Sequence, residues 1–166
     1  MTQLTEIDVA SLYNTHRLSL VRLAALLVDD TASAEDVVHD AFIALHQHQH
    51  RLREPKAAIG YLRTSVVNNA RGVLRKRQTV RRHLSQVRLM DAEPADSELL
   101  LSARHQEVLA AVRQLPPRQQ EVLALRYWSE LSEAEIAEAL GISRGAVKSN
   151  ASRGIDKLEV ILGESR

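Results

Sequence analysis

Residues 132–158, SEAEIAEALGISRGAVKSNASRGIDKL, constrain the fold more than any other part of this chain. They carry start and stop signals for two helices joined by a tight turn. The Ser132 hydroxyl can accept from the amide of Glu135, and the Glu135 side chain can reach back to the Ser132 amide, which makes a capping box. Ile136, Ala137 and Leu140 then fall at helical spacing. Gly141 supplies the conformationally free position after the first helix, and Ser143 can cap the second. In that second helix Val147, Ala151, Ile155, Leu158 and Leu162 line one narrow stripe. Gly145, Ser149, Ser152 and Arg153 face away from it, with Lys148 on the flank and Arg144 in the first turn. Such a small, cationic face suits a helix entering a major groove, because small side chains permit close approach while Arg, Lys and Ser reach base edges or phosphates. The competing reading is an ordinary helical hairpin whose exposed face carries three cations. The motif alone does not separate the several kinds of DNA-binding protein that use it.

The remaining sequence predicts an all-α chain, since it holds no clean alternating run and is dominated by Ala, Leu, Gln, Arg and Glu. The only aromatic residues are Tyr13, Phe42, Tyr61, Tyr127 and Trp128, so the core must be largely aliphatic. The absence of cysteine excludes disulfides, thiolate zinc sites and a cysteine nucleophile. The acidic, polar N-terminus does not read as a signal peptide, and apolar runs such as 23–28 are too short to span a bilayer. A soluble cytoplasmic protein without a membrane partner is expected.

The formal net charge of +1 conceals strong segregation. Residues 1–50 hold two basic and seven acidic side chains, whereas residues 51–82 hold ten basic and one acidic, a net of +9. Residues 83–112 return to net acidity, and residues 113–166 balance eight against eight. A localised basic block in a near-neutral chain is a polyanion-binding signal.

Taken in order, a first helix is expected over about 7–28. Asp29-Asp30-Thr31 breaks it, and Thr31 or Ser33 can cap the next, over about 34–47. That second helix buries Val37, Val38, Ala41, Phe42 and Leu45 and presents Asp36, His39, Asp40, Ile43 and Gln47 on its other face. A solvated acidic face is one reading; an apolar Ile43 ringed by carboxylates also has the character of a protein-docking surface. His46 and His50 stand at a spacing some metal sites use, but no carboxylate or thiolate lies close in sequence to complete one, so a polar loop is the better reading and no metal or other cofactor is expected. Residues 51–56 (RLREPK) form a basic loop in which Pro55 disfavours helix at Glu54. A long helix follows over about 57–77. Its buried stripe is Ile59, Leu62, Val66, Ala70 and Val73, and opposite stand Thr64, Asn68, Arg71 and Arg75, spaced for phosphate and base contact. Periodicity fades through the acidic stretch around Pro94, giving a domain at 1–78, an extended acidic linker at 79–101 and a second domain at 102–166. In the second domain Pro116-Pro117 ends one helix and starts another, 118–128, with Val122, Leu123, Leu125 and Tyr127 or Trp128 packing inward.

The order of these parts, with SAEDVVHDAFIAL, GYLRTSVVNNARGVLRKR and the long C-terminal run from LPPRQQEVLALRYW onward, resembles the two-domain extracytoplasmic-function (ECF) sigma factors of bacterial RNA polymerase, over about residues 9–162. The resemblance implies two helical domains, no catalysis by the chain itself, no small-molecule substrate, and core RNA polymerase and promoter DNA as partners. An anti-sigma factor that masks both domains is common in such a family and is a further candidate partner. It also implies residue roles. Glu35, Asp36, Asp40 and Ile43 would dock on the polymerase clamp. Arg51, Arg53 and Lys56, in the 51–56 loop, would surround a base flipped from the −10 element, and Thr64, Asn68, Arg71 and Arg75 would contact its duplex edge and backbone. Arg144, Gly145, Lys148, Ser149 and Arg153 would read the −35 element, with Arg118 a candidate phosphate contact. Tyr61 stands where many relatives carry Trp, and no aromatic cluster flanks the −10 helix, so strand opening would rest mainly on the loop and promoter preference would be narrow. The rival reading is a stand-alone helix-turn-helix regulator, which leaves the basic block and the linker without a role.

Overall fold

A computed structural model describes residues 6–28, 30–83 and 103–164 of the chain. The regular structure of these residues is helical: α1 (Val9–Leu27), α2 (Thr31–His48), α3 (Ala57–His83), α4 (Ala103–Arg113), α5 (Pro117–Tyr127), α6 (Glu133–Leu140) and α7 (Arg144–Glu164), with a 3-10 turn at Gln49–Arg51. Asp8 caps α1 by accepting from the Ser11 amide at 3.0 Å. The cap of α2 is Asp30, which accepts from the Ser33 amide at 2.8 Å, in place of the expected Thr31 or Ser33. The extended backbone of Asp30 (φ −141°, ψ 152°) sets its carboxylate over the first turn. Ser33 instead donates its amide to that carboxylate, and its hydroxyl oxygen accepts from Arg77 of α3.

Helix α3 continues to His83, past the expected end near Arg77, because 78–83 (QTVRRH) contains neither glycine nor proline to stop it. Residues 79–83, assigned to the linker from sequence, are therefore helical, and the rest of the expected linker, 84–101, lies outside the described residues.

Helices α1, α2 and α3 pack mutually into a first unit, and α7 packs against α4, α5 and α6 in a second. The stripe expected on α3 is buried at Leu62, Val66 and Ala70, and Val67 is buried with it because α3 contacts both α1 and α2. Helix α7 packs closely on α5 at Gly154, where a Cβ would come within 2.8 Å of a Leu123 methyl.

The two units are not separate: their buried side chains form one continuous cluster, from Ile7 to Ala151. Helix α1 explains how. Its run LAALLV (23–28) is buried on every side, because α2 and α3 cover one face while α4 and α5 cover another. Helix α5 is likewise buried from Gln120 through Leu125. Full burial of a leucine such as Leu23 or Leu26 contributes about 1.5–3 kcal/mol, so the shared core weighs heavily. Polar groups complete it. The carbonyls of Ala25 and Leu26 belong to the last turn of α1, where no intrahelical amide is available. Arg113 donates to the Ala25 carbonyl at 2.9 Å, and the Gln120 side-chain amide donates to the Leu26 carbonyl. The second unit thus caps a helix of the first, with a cation at the negative end of its dipole.

One inward assignment fails. Tyr127 and Trp128 are 54% and 41% exposed, because α5 ends at Tyr127 and its apolar neighbours already fill the space between α1 and α7.

Candidate nucleic-acid interface

The helix-turn-helix forms as its caps require. Ser132 Oγ accepts from the Glu135 amide at 3.2 Å, and Glu135 Oε1 accepts from the Ser132 amide at 3.4 Å. Gly141 adopts the left-handed conformation (φ 65°), which a residue with a Cβ populates only at a cost, and turns the chain sharply. Ser143 Oγ accepts from the Ala146 amide at 3.0 Å and starts α7. Val147 and Ala151 are buried, which fixes the rotation of α7 and leaves Arg144, Gly145, Lys148, Ser149 and Arg153 exposed on one side. Lys148 has only a long contact to Glu133, 3.9 Å, and stays 69% exposed, so its ammonium is available.

The α3 row is arranged differently. Asn68 and Arg75 are exposed, whereas Thr64 lines a cleft of about 500 Å³ whose far wall is Leu131, Glu135, Glu138 and Ala139 of the second unit. Arg71 forms a bidentate pair with Glu121 of α5, Nε to Oε1 at 2.5 Å and Nη2 to Oε2 at 2.8 Å. Arg118, the candidate phosphate contact, donates to the same carboxylate at 3.2 Å. The hydrogen bonds to Glu121 hold the Arg71 guanidinium above its ordinary pKa, against partial burial that acts the other way. Next to the cleft, burial lowers the pKa of Arg63, partly offset by the charge of Glu135.

The basic loop presents Arg51, Arg53 and Lys56 to solvent. It borders a concavity of about 470 Å³ lined by Ile7, Gln49, His50, Leu52, Arg53 and Pro55, with Glu6 at its edge. Its lining mixes apolar Ile7, Leu52 and Pro55 with polar Gln49, His50 and Arg53, and at this volume it can hold a planar ring. His48 Nδ1 lies 2.9 Å from the Ala44 carbonyl oxygen, one turn back on α2.

On α2, Glu35, Asp36, Asp40 and Ile43 are all exposed, Ile43 at 43%. Glu35 lies 3.6 Å from Arg17, whose guanidinium stands over the ring of Tyr13, and Tyr13 meets Phe42 edge-on at 5.1 Å. The result is an acidic surface with partly exposed apolar centres on a rigid helix pair.

Comparisons with known proteins agree with this layout. The model of sigma-70 region 2 matches residues 12–80, and that of sigma-70 region 4 matches residues 105–158. RNA polymerase sigma factor CarQ of Myxococcus xanthus is 32% identical, over 92% of this chain and 88% of that protein. An RNA polymerase sigma-E factor of Streptomyces avermitilis is 30% identical, over 92% of this chain and 83% of its own length. The chain belongs to the ECF sigma factors of the sigma-70 family. ECF RNA polymerase sigma factor SigX of Bacillus subtilis is 27% identical, over 89% of this chain and 79% of that protein. Among solved structures, sigma factor RpoE in complex with the anti-sigma factor NepR from Bartonella quintana shares the fold at a TM-score of 0.75. The two are 23% identical, with 94% of this chain and 99% of that one covered.

For this sigma factor, reading by sequence missed the residues that join the units: Arg113, Gln120 and Glu121. Gln120 and Glu121 are 7% and 5% exposed, rare for such side chains outside a specific pairing. One sign was available in the sequence. The uninterrupted apolar run LAALLV is wider than one face of a surface helix needs, so α1 required a second cover.

Proposed function

We propose that the two units divide promoter recognition between them, the first taking the −10 element and core polymerase, the second the −35 element. The observation that carries this reading is the coincidence of the region 2 match with the unit holding the basic loop and α3, and of the region 4 match with the helix-turn-helix. In this reading Arg144, Gly145, Lys148, Ser149 and Arg153 enter the major groove at −35, where small residues let the α7 backbone approach and the cations reach base edges. Arg118 holds an adjacent phosphate. Thr64, Asn68, Arg71 and Arg75 contact the −10 duplex edge, and the concavity beside Arg51, Arg53 and Lys56 receives a base flipped from the non-template strand. Flipping costs a few kcal/mol of unstacking, which a shaped pocket offsets. Glu35, Asp36, Asp40 and Ile43 dock on the polymerase.

The chain itself catalyses no reaction and needs no cofactor; phosphodiester chemistry stays with core polymerase. It works in the cytoplasm, where promoter DNA is, and no described helix is long and apolar enough to cross a membrane. An anti-sigma factor is a natural regulator, as the anti-sigma factor NepR is bound to the sigma factor RpoE, whose fold this chain shares. The first domain is taken to run to 83, with the whole of α3, and the second as 102–166, in place of the boundary at 78 expected from sequence.

Run-off transcription from a promoter library with core polymerase tests the reading. Specific initiation is expected only with polymerase present. Tight binding to a palindrome by the chain alone would favour a stand-alone regulator instead.

A further inference from the structure

We propose that the free sigma factor is self-masked: Glu121 of α5 stands in for a DNA phosphate and holds Arg71 of the −10 row in a closed arrangement of the two units. The proposal rests on the assignment of α3 to the −10 element.

Four observations meet at this contact. The pair is bidentate, the geometry in which a guanidinium binds either a carboxylate or a phosphate, so Glu121 and DNA compete for the same donors. Glu121 also takes Arg118, so one carboxylate occupies a candidate cation from each half of the promoter reader. Thr64, in the same row, faces the cleft toward α6. The closure is held elsewhere as well, by Arg113 and Gln120 on the last carbonyls of α1 and by the apolar contact of α1 with α5.

These contacts set the energetic logic. The Glu121 side chain is 6% exposed and would be costly to bury without its cations. Breaking the pair while the units stay closed leaves the buried carboxylate with Arg118 alone, a single longer contact in place of a bidentate pair, so loss of Arg71 to DNA favours opening, and opening releases Arg71. Masking and closure are therefore one equilibrium, which promoter DNA or polymerase shifts by binding the open form better. The apparent affinity of the free chain for DNA is its intrinsic affinity scaled by the open fraction; if about one molecule in ten is open, abolishing the closed form raises it about tenfold.

The experiment uses the full chain. Because it contains no cysteine, Thr15→Cys on α1 and Glu159→Cys on α7, both exposed, allow specific donor and acceptor labelling. High transfer efficiency is expected without DNA. Glu121→Arg, which sets like charges beside Arg71 and Arg118, should lower it, and the exchange Arg71→Glu with Glu121→Arg should restore it. In unlabelled chains, Glu121→Gln should raise affinity for a −10 oligonucleotide at least about threefold over Glu159→Gln, which removes the same charge at a remote exposed site. Circular dichroism melting confirms that each variant is folded. Unchanged transfer in Glu121→Arg overturns the proposal. Opening with no gain in −10 affinity also overturns it, because the contact would then close the chain without masking it. Failure of the underlying assignment is separate: Arg71→Ala would then support normal run-off transcription with core polymerase.

Discussion

Helices α3 and α7 each set cationic and polar side chains opposite an apolar stripe. On α7 the stripe is covered within its own unit, and Arg144, Lys148 and Arg153 stand in solvent. On α3 the stripe is covered by α1 and α2, yet the opposite row meets the other unit: Arg71 is held by Glu121 and Thr64 lines the cleft. The same pattern therefore yields a free recognition face in one place and an occupied one in the other. The difference lies in the neighbours. Helix α7 ends a compact group and no described element packs on its outer side, whereas α3 lies beside α5, which is drawn against α1 by apolar burial.

The comparison breaks most visibly at the −10 row. Replacing Arg71 and Arg75 together by Ala should remove two contacts of about 1–3 kcal/mol each and nearly abolish −10-dependent run-off. Core polymerase affinity should not fall in a pull-down; a fall there would show that α3 serves docking instead. On α7, Lys148→Ala or Arg153→Ala should each weaken −35 discrimination by about 1–3 kcal/mol, read as a flattened −35 preference in a promoter library. Because these side chains are unmasked, the effect should be equal in wild-type and Glu121→Gln backgrounds, whereas that of Arg71→Ala should differ between them.

Gly154→Ala probes the packing that orients α7. Its Cβ would meet Leu123 at 2.8 Å, an overpacking cost of about 1–3 kcal/mol that the better helix propensity of Ala, about 1 kcal/mol, only partly offsets. A Tm lowered by a few degrees is expected, and an unchanged Tm would mean that Leu123 moves aside freely.

The smallest effect concerns the other end of α3, where Arg77 pairs with Asp30 inside the first unit. Partial burial raises the pKa of Asp30, but hydrogen bonds from the Ser33 amide, from Arg77 and from the Ser33 hydroxyl outweigh it and leave the carboxyl below its ordinary 3.8. A depressed carboxylate contributes stability above its unfolded pKa and loses it as pH falls through the folded value, so this contribution should begin to fall below pH 3.8 and be gone once the folded carboxyl is protonated. Asp30→Asn keeps the cap but not the charge, and should cost about 0.5–1 kcal/mol at neutral pH while flattening the acid limb of a denaturation series. An unaltered acid limb would remove Asp30 from the account.

Local chemistry made much of the fold legible. The capping box at Ser132, the left-handed Gly141, the Ser143 cap and the start of α5 at Pro117 are interactions within a few residues, and all formed as read. The exposed faces at 36, 40 and 43 and along α7 followed from helical spacing, since burying one stripe exposes its opposite. The Asp30 cap was missed because Asp30, Thr31 and Ser33 are all capping residue types within four positions, and Arg77, far along the chain, contacts both Asp30 and Ser33. Tyr127 and Trp128 were misplaced because their large apolar rings suggested a core that smaller residues already fill.

By itself, the sequence determined that the described residues are helical, that they carry a helix-turn-helix and a separate basic helix, and which side chains stand opposite each buried stripe. Those properties depend on spacing, caps and charge within a single helix. Only the tertiary structure decided that α1 and α5 share a core, that Arg113 and Gln120 cap a helix of the other unit, and that Arg71 meets Glu121 rather than solvent. These contacts join residues 50 to 94 positions apart, and their formation turns on burying apolar surface between units, a quantity no local pattern encodes.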